Sequence, residues 1–164
     1  MTNTLSKFQR LAEKTRGLTH PDEEIPKSHP FDERNMHPAV DKCSRKLFDD
    51  GHYSQATFEV YKFIDNRVKN LSRSRIKTSG YDLMMKTFNE KDPHLNLTSS
   101  LDMSKRSKVD VQRGYKHIFA GAMSAIRNPR GHESGLVETP DECLDYLSLA
   151  SLLLRQLEKV KTGK

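Results

Sequence analysis

The chain has 164 residues, a formal net charge of +6 and a pI near 9.3. Hydrophobic residues make up 34%, charged residues 30%, and there is no Trp, which allows one modest helical core and excludes a large one. No apolar run approaches the ~18 residues of a membrane span, and the opening Met1-Thr2-Asn3-Thr4 carries no apolar signal region. The expectation is a cytoplasmic protein with no membrane partner. Cys43 and Cys143 stand a hundred residues apart with no metal or redox spacing, so they read as reduced core residues. The mild basic excess suggests a polyanionic partner.

In chain order, Leu5, Phe8, Leu11 and Ala12 recur at helical spacing and predict a short amphipathic helix over residues 4–16, a candidate docking segment for a protein partner. After Gly17, the run Pro21, Asp22, Glu23, Glu24, Pro26 and Pro30 reads as extended or mobile over 18–35. Residues 1–35 are therefore read as an N-terminal arm and 36–162 as the helical domain. Pro38 suits a first helical position, and Val40, Cys43, Leu47 and Phe48 form an apolar face that ends at Gly51. A second helix starts near Ser54, with Ala56, Val60, Phe63, Ile64, Val68 and Leu71 as its stripe. Ser79 with Asp82 reads as a capping pair that opens a short helix through Leu83, Met84 and Phe88.

Pro93 and the Thr98-Ser99-Ser100 run mark 90–108 as a loop. The next helix carries Val111, Tyr115, Ile118, Phe119, Ala122 and Ile126 on one face. Pro129 should stop it close to Asn128, because a residue before proline is disfavoured in the helical region. The last helix has the clearest start: Thr139 as cap, Pro140 in the first turn and Glu142 completing the box. Leu144, Leu147, Ala150, Leu154 and Leu157 are its stripe; Leu152 and Leu153 fall outside it and suggest a second buried face, most simply in a homodimer. With no strand alternation, the fold class is all-α, a bundle of four to five helices with an N-terminal arm.

The turn between the last two helices is Arg127-Asn128-Pro129-Arg130-Gly131-His132. It brings a permanently charged guanidinium and a group titrating near neutrality to one corner of the bundle. Those two suffice for metal-free RNA cleavage: a base takes the proton of a ribose 2′-OH, and a cation stabilises charge growing on the attacked phosphate. The same residues also have ordinary readings. Arg127 complements a helix C-terminus, Asn128-Pro129 is common turn chemistry, and His132 is a solvated loop residue.

Arg67, Lys69, Arg73, Arg75 and Lys77 form one basic run, and Lys105, Arg106 and Lys108 another. Each is either a solvated face or a sequence-tolerant contact to an RNA backbone. Glu59 either orients an arginine or is simply exposed. The seven histidines show no metal-ligand spacing, so neither a metal nor another cofactor is expected.

Arg127, Asn128 and His132 fit the Arg-polar-x(3–5)-His motif of the HEPN superfamily, helical-bundle proteins that include many RNases. More closely, the chain resembles the Ymh-type proteins of prophages and mobile elements. That likeness rests on His37-Pro38, the stretch Leu47 to Ala56 around Gly51-His52-Tyr53, Leu83-Met84, and Gly121-Ala122 leading to Ile126-Arg127-Asn128-Pro129 and His132. It covers about residues 37–158.

The resemblance implies a HEPN-like bundle and a metal-independent endoribonuclease of toxin, antiphage or mobile-element type. Two protomers would present their motifs to one RNA groove. His132 would be the general base, Arg127 the transition-state cation and Asn128 the orienting polar residue. Arg130 either binds a flanking phosphate or is a solvated charge. His52 and Tyr53 form a helix entry or stand beside the groove. The alternatives to an enzyme are an inactive HEPN module that holds RNA or a partner, and a helical interaction subunit of a defence or phage complex.

Overall fold

Proline stands in the first turn of four helices, where its missing N–H is one that the helix leaves unpaired anyway. The computed structural model describes Lys7 and residues 28–72, 78–133 and 135–160. Apart from Lys7, the helix expected over 4–16 lies outside the described residues, as do Arg73, Arg75 and Lys77. Every regular element among the described residues is helical: α1 (Pro30–Glu33), α2 (Pro38–Asp49), α3 (Tyr53–Leu71), α4 (Gly80–Thr87), α5 (Lys105–Ala122), a π-turn (Met123–Arg127), α6 (Asn128–His132) and α7 (Pro140–Glu158). The all-α expectation holds. No helix among the described residues is long and apolar enough to cross a membrane.

Helix α3 is the central element. It packs against α2 and α7, touches α4, and meets the π-turn, while α4 lies along α5. Tyr61, Ile64, Phe88, Phe119, Met123, Leu147 and Leu153 are fully buried, and the rings of Phe88 and Phe119 stack with centroids 4.6 Å apart. Leu153 therefore faces the interior of its own chain. Of the two leucines expected on a second apolar face of α7, only Leu152 remains outside, 43% exposed. Phe63 and Ile118 also fall outside the core, at 37% and 43% exposure.

The buried face of α5 carries two polar residues, Gln112 and Lys116, beside Phe119, Ala120 and Ala122. Gln112 Nε2 donates to the carbonyls of Phe88 and Leu95, and its Oε1 accepts from the Leu97 N–H, so one side chain satisfies three backbone groups of the preceding loop. That loop is irregular, as expected, but Leu95 and Leu97 are buried, and α5 begins at Lys105 behind the Ser104 cap. Lys116 Nζ donates to Glu90 at 2.6 Å and holds that carboxyl down at about 2.

Three local expectations need correction. Thr139 and Glu142 do form the reciprocal capping box, but Ser79, although at the N-cap of α4, makes no side-chain cap bond. Instead the Asp65 carboxylate, from α3, accepts from the Gly80 N–H at 2.8 Å. The helix does not stop at Asn128 either: Arg127 and Asn128 both keep right-handed helical dihedrals, and α5 runs through the π-turn into α6. The Asn128 N–H donates to Met123 O, five residues back, so the widened turn gives the Pro129 ring the room that an α-helical carbonyl would deny it.

The third correction concerns the end of the stretch expected to be extended. Pro30–Glu33 is a helical turn, and Phe31 is 1% exposed in the core. His29 caps that turn through Nδ1 and meets Asp49 with Nε2 at 2.8 Å. Arg45 ties α1 to α2 through Asp32 and Asp41. The packed body therefore begins upstream of residue 36. Phe31→Ala should lower unfolding stability by about 3–5 kcal/mol, the range for emptying a buried aromatic site. Urea denaturation of the two proteins measures it, and a change below about 1 kcal/mol would show that this turn does not belong to the core.

Candidate functional site

The site is built where the α5–α6 rod ends. Asn128 and His132 are four residues apart on one helical turn, so their side chains leave the same face, with Cβ atoms about 5–6 Å apart in such pairs. Arg127 precedes them as the last residue of the π-turn. Its Nη1 donates to Asn128 Oδ1 at 3.1 Å, and its guanidinium lies 5.8 Å from the centroid of the Phe58 ring. The Arg127 Nε is buried with no hydrogen-bond partner among the described residues. His132 is exposed.

Phe58 carries more of this corner than its position in α3 suggests. Lys62 stands over the same ring at 5.7 Å, so two cations share one aromatic face or its surroundings. A Cβ built on Gly131 would come within 3.0 Å of Phe58 Cε2. A methyl group at 131 would thus require the Phe58 ring to move by a few tenths of an ångström where α6 meets α3. Gly80, with φ of +63° and its N–H held by Asp65, brings the start of α4 against Asn128, whose Oδ1 would lie 3.8 Å from a Cβ there.

Arg130 is not a solvated charge. Its Nε donates to Glu138 Oε2 at 2.7 Å, Nη2 lies 2.5 Å from the same oxygen, and Nη1 donates to Ile126 O at 2.8 Å. The guanidinium also stacks 4.5 Å from the Tyr146 ring centroid. The two charged side chains are 10% and 3% exposed, so removing one partner alone should cost about 3–5 kcal/mol. Thr57 completes the set by donating Oγ1 to the other Glu138 oxygen.

Lys105 and Arg106 are exposed at the opposite end of α5. At a rise of about 1.5 Å per residue, the rod separates them from Arg127 by roughly 30 Å, so they do not join Arg127 and His132 in one site. Glu59 accepts from Gln55 and pairs with Lys62, and among the described residues no arginine bonds to it. Among the described residues, no group of three His, Cys, Asp or Glu side chains is placed to hold a metal. Burial pushes the Cys143 thiol up to about 12, so it stays protonated beside Thr57 and serves packing.

Residues 34–157 match the family model Hypoth_Ymh, described as a protein of unknown function. The chain belongs to the Hypoth_Ymh family. No curated protein and no solved structure matches it. The matched span of this Hypoth_Ymh chain takes in α2 through α7 nearly whole, and with them every residue of the turn.

Within that span, Gly51, His52, Tyr53, Ser54 and Gln55 line a cleft of about 400 Å³ whose other wall is Arg130, Glu133 and Gly135 to Glu138. The entry to α3 and the back of α6 therefore border one depression. Tyr53 also packs edge-on against Phe48, ring centroids 5.2 Å apart. Sequence reading missed Phe58, Glu138 and Tyr146. None has a motif, and only Glu138 carried a signal, as an acid one residue before a strong helix cap.

The close Gly131–Phe58 approach sets up an opposition. Gly→Ala in a helix ordinarily stabilises by about 1 kcal/mol. Here Gly131→Ala should destabilise, and in a Phe58→Leu background it should turn neutral or stabilising. A double-mutant cycle in urea reads the coupling; additive effects would mean that the ring yields freely.

Proposed function

We propose that the chain is a metal-independent endoribonuclease of HEPN type, acting as a toxin, antiphage or mobile-element effector. The observation that carries this is the shared face of Asn128 and His132 on one turn, with Arg127 hydrogen-bonded to Asn128 directly before it. His132 takes the proton of a ribose 2′-OH, and the oxygen attacks the adjacent phosphorus. Arg127 stabilises the charge that develops on the phosphate oxygens, and Asn128 holds the guanidinium in place. The exposure of His132 supports this division, as does the half-buried Arg127 guanidinium, whose one side-chain hydrogen bond goes to Asn128.

The products follow from the chemistry. One fragment ends in a 2′,3′-cyclic phosphate or its opened form, and the other begins with a 5′-OH. Purified protein should cut mixed RNA in EDTA and leave DNA intact. His132→Ala should abolish cleavage, and Arg127→Lys should reduce it by about tenfold or more, because the planar fork is lost while the charge remains. Cleavage that survives His132→Ala, or that needs magnesium and leaves 5′-phosphates, would sink the mechanism. RNA binding without cleavage would move the assignment to an inactive module of the same fold.

The same reading takes two copies of the chain on one RNA. Apolar surface supports it: Leu152 on α7, and Leu136 and Val137 beside α6 at 42% and 93% exposure. Light scattering at micromolar concentration should give the mass of a dimer, and Leu152→Glu should shift it toward monomer. A monomeric wild-type protein would count against this assembly.

A further inference from the structure

We infer that Arg130 and Glu138 form a buried clamp that positions the Arg127–His132 turn, which makes Arg130 and Glu138 positioning residues. This rests on the reading of Arg127 and His132 as the reacting pair. Helix α6 is a five-residue turn joined to α5 through the widened π-turn, where the regular α-helical hydrogen-bond ladder is interrupted. Arg130 lies two residues after Asn128 and two before His132, so it projects from the opposite side of that turn. Burial agrees: His132 is exposed, whereas the Arg130 side chain is 10% exposed.

From that hidden side, one guanidinium reaches three places. Nη1 holds the Ile126 carbonyl of the π-turn, Nε and Nη2 hold Glu138 just ahead of α7, and the planar face rests on Tyr146 of α7. Glu138 is in turn fixed to α3 by Thr57. The turn is thus fastened from behind to both helices that pack around it, and its front is left to Arg127, Asn128 and His132. Lysine cannot replace the fork, since its single nitrogen cannot span a carbonyl and a carboxylate while stacking on a ring. A buried ion pair is weak as a source of stability compared with apolar packing, and its best-supported role is to select one geometry.

The test separates geometry from stability. Glu138→Gln, Arg130→Lys and the apolar pair Arg130→Met with Glu138→Leu are compared with wild type in RNA cleavage, thermal unfolding, and NMR of the His132 ring and the Arg127 Nε–H. Both single variants should lower kcat by about tenfold or more, leave KM for RNA within about twofold, and shift the His132 and Arg127 signals. The apolar pair should regain most of the lost Tm and neither kcat nor the wild-type signals. Recovery of all three together, or unchanged signals in Glu138→Gln, would overturn the clamp. Should the apolar pair not fold, the two single variants decide through the same signals. Wild-type protein that fails to cut RNA would remove the ribonuclease reading, and the NMR comparison would still decide whether the pair sets the turn.

Discussion

Pro129 is the constraint around which the C-terminal half is arranged. A proline inside a continuous α-helix removes a donor and drives its ring into the carbonyl four residues back. The chain absorbs this by widening one turn, Met123–Arg127, rather than by ending the helix. Asn128 then starts a new turn on a shifted register, and the side chains after it leave in directions that a regular α5 would not have given them. The placement of Arg127 at the rim, of His132 above Asn128 and of Arg130 in the interior all follow from that one local adjustment.

The two arginines of the turn show how burial divides chemically identical groups. Arg130 finds a carboxylate, a carbonyl and an aromatic face within the protein, so its donors are consumed. Arg127 has one amide oxygen and a more distant ring, so its donors are not. Identity and separation in sequence say nothing about this difference. It is decided by what α3 and α7 present on either side of α6: Phe58 on one, Tyr146 with Glu138 on the other.

Much of the fold was legible because its signals are local. Thr139 and Glu142 sit within one turn of each other, so their box could be read without knowing the tertiary structure. The helix starting at Pro38 and the family span around it were legible for the same reason. What depended on distant partners was not. Asp65 replaces Ser79 as the cap of Gly80 from fifteen residues away, and Glu138 reaches Arg130 only after the chain has turned at Gly135. Periodicity identified faces but not depths: Phe63 and Ile118 keep the core rhythm while standing at the edge of it. The π-turn leaves no mark in composition, and Phe31 was hidden in a stretch whose prolines argued against packing. At the site, the turn residues were identified and their exposure was not.

The two histidine caps give the front of the domain a chemistry that the other helix starts lack. His29 and His37 each accept a backbone N–H at Nδ1, so each ring carries its proton on Nε2, which meets Asp49 in one case and Glu158 in the other. Each imidazole thus holds two tethers at once, a peptide N–H of its own helix start and a carboxylate at the end of another helix, at two successive proline-led turns. The hydroxyl caps Ser104 and Thr139 are too short for that span and reach no further than their own first turn.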